Sequence, residues 1–142
     1  MKAHYHAGIS LVLAIALFTA FRSISLSITA FLTGIFIDID HGFDYLREYG
    51  FRFDIRFFFH SFNETLYKRV VLLFHGWEWV MLLVIISFAS RNPIIAGITI
   101  GIVSHLICDQ FTNGVSIWGY FFFFRLRRGF IVSRIFPGKG LE

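Results

Sequence analysis

Four long apolar runs constrain what this chain can fold into. They cover about residues 7–21, 24–37, 70–89 and 94–111, and short charged or polar segments separate them. Hydrophobic residues make up 56% of the 142 positions, more than a soluble domain usually carries. The first two runs are only about 15 residues each, whereas crossing the hydrocarbon core of a bilayer takes about 20, so their polar flanks must be drawn partly into the bilayer or the bilayer must thin. We therefore predict one all-α integral membrane domain over residues 1–142, with about four transmembrane helices.

The segment between the second and third runs has a different character. In residues 43–69, aromatic side chains alternate with Arg52, Asp54 and Arg56. This mixture is typical of a segment that lies in the headgroup layer, with its aromatic rings among the lipids and its charges in water. We predict a cytoplasmic amphipathic segment here, with a short helix over about residues 57–69.

The positive charges are distributed unequally along the chain. If the four runs cross a membrane, only Arg22 and Arg91 lie on one side. The other eleven cationic residues lie opposite, namely Lys2, Arg47, Arg52, Arg56, Lys68, Arg69, Arg125, Arg127, Arg128, Arg134 and Lys139. An excess of Lys and Arg in short loops marks the cytoplasmic face. This pattern predicts a multi-pass membrane protein with both termini in the cytoplasm. Its net charge of +4 is expected to meet lipid headgroups rather than nucleic acid.

Histidine and carboxylate residues recur in pairs three or four positions apart. The pairs are Asp38 with His41, His75 with Glu78, and His105 with Asp109. On a helix, this spacing places both side chains on one face. A single pair would ordinarily be a hydrogen bond at a helix end. The four predicted crossings, however, bring all three pairs to the same side of the membrane, together with His6 and Asp40.

These side chains offer nitrogen and oxygen donors, which suit zinc, manganese or iron. We predict one or two divalent ions, most naturally zinc, held by His6, Asp38, His41, His75, His105 and Asp109. Glu78 or Asp40 is the predicted general base, and Glu78 is alternatively a ligand. The expected chemistry is activation of water for attack on an ester or phosphoester.

Four arginines near the predicted interface could receive a substrate phosphate. These are Arg56, Arg125, Arg127 and Arg128. The alternative role for each of them is to set topology and to bind lipid headgroups.

Two motifs carry a resemblance to a known family. The sequences Asp38-Ile39-Asp40-His41 and Ser104-His105-Leu106-Ile107-Cys108-Asp109-Gln110-Phe111-Thr112-Asn113-Gly114, with a histidine before the first apolar run, resemble the membrane-bound metal-dependent hydrolase family. Its members are also described as LexA-binding, inner-membrane-associated hydrolases. The chain departs from the family pattern at Phe36-Ile37, where a proline is usual, and at His75-Gly76-Trp77-Glu78, where a His-Arg-Gly-x-Thr-His-Ser motif is usual. The resemblance implies a hydrolase and does not identify its substrate.

Two functions are therefore open. The first is a metal-dependent hydrolase at the cytoplasmic membrane face, acting on a phospholipid or another amphipathic phosphoester. The alternative is a non-enzymatic metal-binding membrane protein or a partner-binding module. An open cavity with a free coordination position would favour the first, and a closed ligand shell would favour the second.

Overall fold

The computed structural model describes residues 3–51, 54–113 and 116–139. Its helices, in chain order, are α1 (Ala3–Phe21), α2 (Ile24–Phe36), α3 (Ile39–Tyr49), α4 (Ile55–Asn63), α5 (Trp77–Ser90), α6 (Pro93–Thr112), α7 (Phe122–Arg127) and α8 (Val132–Ile135), with a 3₁₀ helix at Ile117–Tyr120. The prediction of an all-α fold is confirmed. Lys2 and Arg52 of the charge pattern, and Gly114 of the second motif, lie outside the described residues.

The chain divides into two compact units. The first unit comprises Met1–Ile37 and Trp77–Asn113, and the second comprises Asp38–Gly76 and Gly114–Glu142. In the first unit, α1 and α2 are joined at Arg22, and α5 and α6 are joined at Arg91. Both arginines have positive φ angles, 53° and 51°, which turn the chain sharply between consecutive helices.

Close packing between α2 and α6 forms the centre of the first unit. A Cβ atom on Gly97 would lie 1.9 Å from Thr29 Oγ1 and 2.4 Å from the carbonyl oxygen of Leu26. A Cβ atom on Gly101 would lie 2.6 Å from the carbonyl oxygen of Ala30. The Gly-x-x-x-Gly spacing therefore allows the two backbones to approach, as it does between membrane helices.

In the part of the chain that the structure describes, three helical segments are long and apolar enough to cross a membrane: His4–Phe21, Ile24–Tyr49 and Pro93–Thr112. Exposed side chains such as Val12 and Ile15 on α1 fit contact with lipid tails. Helix α5 is equally apolar but has 14 residues, fewer than the roughly 20 that span a bilayer. The predicted count of four spanning helices is therefore not confirmed.

The second unit has its own core of aromatic and aliphatic side chains. The core contains Tyr45, Tyr67, Val70, Leu72, Val132, Ile135 and Phe136. The amphipathic helix predicted over 57–69 is α4, which starts earlier and ends at Asn63. The carboxylate of Asp54 caps α4 by accepting hydrogen bonds from the backbone N–H groups of Arg56 and Phe57.

Residues 70–76, which we call the His75 loop, precede α5 and are not helical. The prediction that His75 and Glu78 share a helical face is therefore wrong, because α5 begins only at Trp77. The physical reason is that side-chain carboxylates take up the backbone N–H groups of this loop. Asp44 accepts hydrogen bonds from Val71 and Leu72, at 2.9–3.0 Å, in place of helical carbonyl groups.

Candidate metal-binding groups

The first unit contains a buried group of His6, His105 and Asp109, which we call the α1/α6 group. One donor atom from each residue lies within 4.8 Å of the others. His6 Nε2 is 3.1 Å from Asp109 Oδ1, and His105 Nε2 is 3.6 Å from Asp109 Oδ2. The two imidazole rings stack with their centroids 3.9 Å apart. This group can hold a metal ion, as can a second group described below.

The elements of the first unit place these donors. His6 lies in the first turns of α1, and His105 and Asp109 lie one turn apart near the end of α6. His105 Nδ1 lies 2.9 Å from the carbonyl oxygen of Gly34 on α2. Because a carbonyl oxygen can only accept, Nδ1 carries the hydrogen and Nε2 is left to face Asp109. Metal-binding histidines are commonly oriented by such a hydrogen bond on their other nitrogen.

The second unit contains a group of Asp38, His41 and His75, which we call the α3/loop group. Their donor atoms also lie within 4.8 Å of one another. Asp38 immediately precedes α3, and its Oδ1 is 3.5 Å from His41 Nε2 and 3.3 Å from His75 Nε2. His75 is completely buried, whereas the Asp38 side chain keeps about a quarter of its surface exposed, 24%.

Asp40 orients His75. Its Oδ2 atom lies 3.0 Å from His75 Nδ1 and accepts a hydrogen bond of 2.9 Å from the backbone N–H of Phe74. His75 Nδ1 therefore faces a carboxylate, while Nε2 faces Asp38. This is the carboxylate–histidine arrangement that supports metal ligands in proteins. The contacts favour an orienting role for Asp40 over the general base that the sequence predicts.

The donor spacing is compatible with a shared metal ion as well as with ion pairs. With ligand bonds of about 2.1 Å, the edge of a tetrahedral zinc shell is roughly 3.4 Å. The four nitrogen–oxygen separations within the two groups are 3.1, 3.6, 3.5 and 3.3 Å. All four separations lie close to that edge, so each group could share a cation, and the same separations also make these residues ion pairs.

The electrostatics of His75 point to the same need for positive charge. Burial opposes protonation of this imidazole, but the carboxylates of Asp40 and Asp38 outweigh it and raise the pKa of His75 to about 10. Without a metal, His75 is thus a cation at neutral pH. A divalent ion held by Asp38, His41 and His75 would neutralise the same carboxylates in place of that proton.

The other predicted site residues are placed as follows. Glu78 is half-buried in the first turn of α5 and belongs to neither metal-binding group found among the described residues. Arg56, Arg127 and Arg128 are exposed, and their role in binding a substrate phosphate stays a prediction. The Arg128 guanidinium lies 5.2 Å from the centre of the Phe124 ring.

Arg125 corrects a prediction. It is completely buried, and its guanidinium donates hydrogen bonds to main-chain carbonyl groups of Leu72, His75 and Gly119, each at 2.8 Å. These bonds occupy the donors that a phosphate would need. Arg125 therefore serves the fold of the second unit rather than substrate binding.

Sequence reasoning missed two supporting features. Asp44 is 2% exposed and holds the His75 loop through two backbone N–H groups. Asp44 lies four residues after Asp40, and this helical spacing could have indicated that both carboxylates lie on the same face of α3. The second feature is the carbonyl oxygen of Gly34, for which the side-chain pattern provides no signal.

Comparisons of this chain with protein-family models, with curated proteins and with solved structures give no match. The fold and the site nevertheless define a class. Within the described residues, the protein is helical, has three candidate membrane spans, and contains two His/Asp groups that could hold a metal ion. The predicted convergence of all these ligands on one pocket stays a prediction.

Proposed function

We propose that this protein is a metal-dependent membrane hydrolase that acts at the cytoplasmic face of the inner membrane on a phospholipid or another amphipathic phosphoester. One observation carries the proposal. In both groups, a buried histidine directs Nδ1 to an oxygen and Nε2 to a carboxylate. Gly34 supplies that oxygen for His105, and Asp40 supplies it for His75. The resemblance of the two sequence motifs to the membrane-bound metal-dependent hydrolase family supports the same reading.

The arrangement supports metal binding because the buried carboxylates need a cation. Asp109 is 4% exposed and faces two imidazole nitrogens rather than water. An ionised carboxylate in such a place is strongly disfavoured without a compensating charge. Three protein ligands are also the number that catalytic zinc sites use, in contrast to the four of structural sites. When bound, a divalent ion supplies Lewis-acid chemistry toward water and phosphoryl oxygens.

The residues of the chain then divide the remaining tasks. His105 and His75 are held in the orientation that binding requires, so little reorganisation accompanies loading of the ion. The exposed guanidinium groups of Arg56, Arg127 and Arg128 can pair with phosphate oxygens. Glu78 is the proposed general base.

The placement of the α1/α6 group supports a substrate from the membrane itself. His6 lies at the start of one candidate span, and Asp109 lies in the last turn of another. The ends of spanning helices lie near the headgroup layer. A phosphoester headgroup would meet donors at this level more readily than a substrate dissolved in the cytoplasm would.

The test is a hydrolysis assay on purified protein in detergent. The panel comprises phospholipids, isoprenoid phosphates and acyl esters, each measured before chelation, after chelation and after the return of zinc or manganese. We expect turnover of a phosphoester that chelation abolishes and metal restores. We expect Asp109→Asn, which keeps the shape of the side chain but removes its charge, to lose metal and turnover together. Metal-loaded protein without turnover on any substrate would replace this proposal with the non-enzymatic metal-binding function.

A further inference from the structure

The His75 loop is held in an unusual backbone conformation. Leu72 has a φ angle of +47°, in the left-handed region that a leucine rarely adopts. Such a conformation persists only where the surroundings impose it, and it is common near functional sites. Leu72 is buried, so solvent cannot satisfy its peptide groups.

The surroundings hold this loop from two directions. On one side, Asp44 accepts hydrogen bonds from the N–H groups of Val71 and Leu72, and Asp40 accepts one from Phe74. On the other side, Arg125 donates hydrogen bonds to the carbonyl oxygens of Leu72 and His75. The backbone of His75 is therefore held by Arg125, while its ring is held by Asp40.

Arg125 connects this loop to the last part of the second unit. The same Nη1 atom that binds the His75 carbonyl also binds the carbonyl of Gly119. The backbone adds two hydrogen bonds, from Val70 N–H to Phe130 O and from Val132 N–H to Lys68 O. A guanidinium is suited to this task because its planar, fixed array of donors can satisfy several acceptors at once, which an ammonium cannot do in the same geometry.

We propose that Arg125 is a positioning residue for the metal ligand His75. By fixing the carbonyl groups at both ends of Leu72–His75, it aims His75 Nε2 at Asp38 and so sets the metal affinity of the α3/loop group. The proposal rests on the proposed metal binding of this group, although the loop-holding role can be tested without metal.

The first test compares Arg125→Lys with wild-type protein. Arg125→Lys keeps the charge but loses the forked geometry, and Arg134→Lys is the control because it makes the same change at an exposed position of the same unit. Zinc affinity is measured in a His105→Gln background, which disables the α1/α6 group. We expect Arg125→Lys to weaken zinc binding by about 10–100-fold, the usual effect of losing a group that supports a ligand. We expect Arg134→Lys to have no such effect.

Hydrogen exchange separates the failure of this inference from failure of the proposed function. In metal-free protein, the amides of residues 71–75 should exchange faster in Arg125→Lys than in wild type, and Arg134→Lys should match wild type. If the background protein binds no zinc but this difference is present, the metal proposal fails for this group and the loop-holding role stands. Unchanged exchange and unchanged zinc affinity in Arg125→Lys would overturn the inference.

A measurement on wild-type protein covers the case in which Arg125→Lys does not fold. Since binding and loop order are linked reciprocally, zinc should slow exchange of the residue 71–75 amides. It should also slow modification of Arg125 by phenylglyoxal, while Arg134 reacts at the same rate with and without zinc. A zinc-binding protein in which neither rate changes would contradict the positioning role.

Discussion

Replacing Asp40 with asparagine perturbs the orientation of one metal ligand without changing the shape of the site. Asp40 Oδ2 lies 3.0 Å from His75 Nδ1 and 2.9 Å from the backbone nitrogen of Phe74. Asparagine can present one acceptor there but brings no charge. Loss of an outer carboxylate partner typically costs about 10–100-fold in metal affinity. This corresponds to about 1.4–2.7 kcal/mol of binding free energy.

The assay is competitive zinc titration in the His105→Gln background, read with a chromophoric chelator. Asp54→Asn is the matched control, because Asp54 is an exposed carboxylate in the same unit whose capping role asparagine performs equally well. The pKa of His75 should also fall from about 10, since Asp40 is the strongest influence raising it. Asp40→Asn protein that binds zinc as tightly as wild type would refute the orienting role of Asp40.

Three further predictions concern the packing of α2 against α6, the proton on His75 and the exposed Arg127. Gly97→Ala should lower the thermal midpoint by the equivalent of about 1–3 kcal/mol, because its Cβ would lie 2.4 Å from a backbone oxygen of α2, whereas Gly8→Ala, with open space around it, should not. Zinc affinity of the α3/loop group should rise with pH, because a proton on His75 competes with the metal. In metal-free protein, that proton contributes stability fully below about pH 6.5 and progressively less as the pH rises through about 10. Arg127→Ala should raise KM more than it lowers kcat if this exposed guanidinium only holds the substrate phosphate.

Each of these predictions has a contradicting result. Equal thermal midpoints for Gly97→Ala and wild type would mean that the α2/α6 packing is looser than described. Zinc affinity that is independent of pH between 6 and 9 would mean that His75 does not exchange a proton for the metal. A fall in kcat at unchanged KM for Arg127→Ala would assign this residue to the chemical step.

Features that depend on neighbouring residues could be predicted from the sequence. The turns at Arg22 and Arg91 interrupt apolar runs, so the helix boundaries beside them follow locally. Asp38 lies close to His41, and His105 lies close to Asp109, because residues three or four positions apart face the same side of a helix. His6 meets Asp109 across 103 positions of sequence, so local spacing cannot predict this contact. The predicted membrane crossings place both residues on one side, and those crossings stay a prediction.

Features that depend on distant side chains could not be predicted. The apolar run 70–89 reads as one helix, but Asp40 and Asp44 take up backbone N–H groups of the His75 loop and delay the helix to Trp77. Arg125 follows four phenylalanines and reads as part of an interfacial anchor. Its burial against three carbonyl groups results from contacts up to 53 positions away, which no local pattern encodes.

X-ray absorption at the zinc edge of zinc-loaded wild-type protein tests the central claim most directly. We predict a first shell of nitrogen and oxygen ligands at about 2.0–2.2 Å with clear imidazole scattering and no sulfur, although Cys108 is present. The imidazole signal should weaken in a His105→Gln, His75→Gln variant. Zinc that dialyses away completely, or a spectrum of water oxygens alone, would contradict metal binding by these groups and with it the proposed hydrolase.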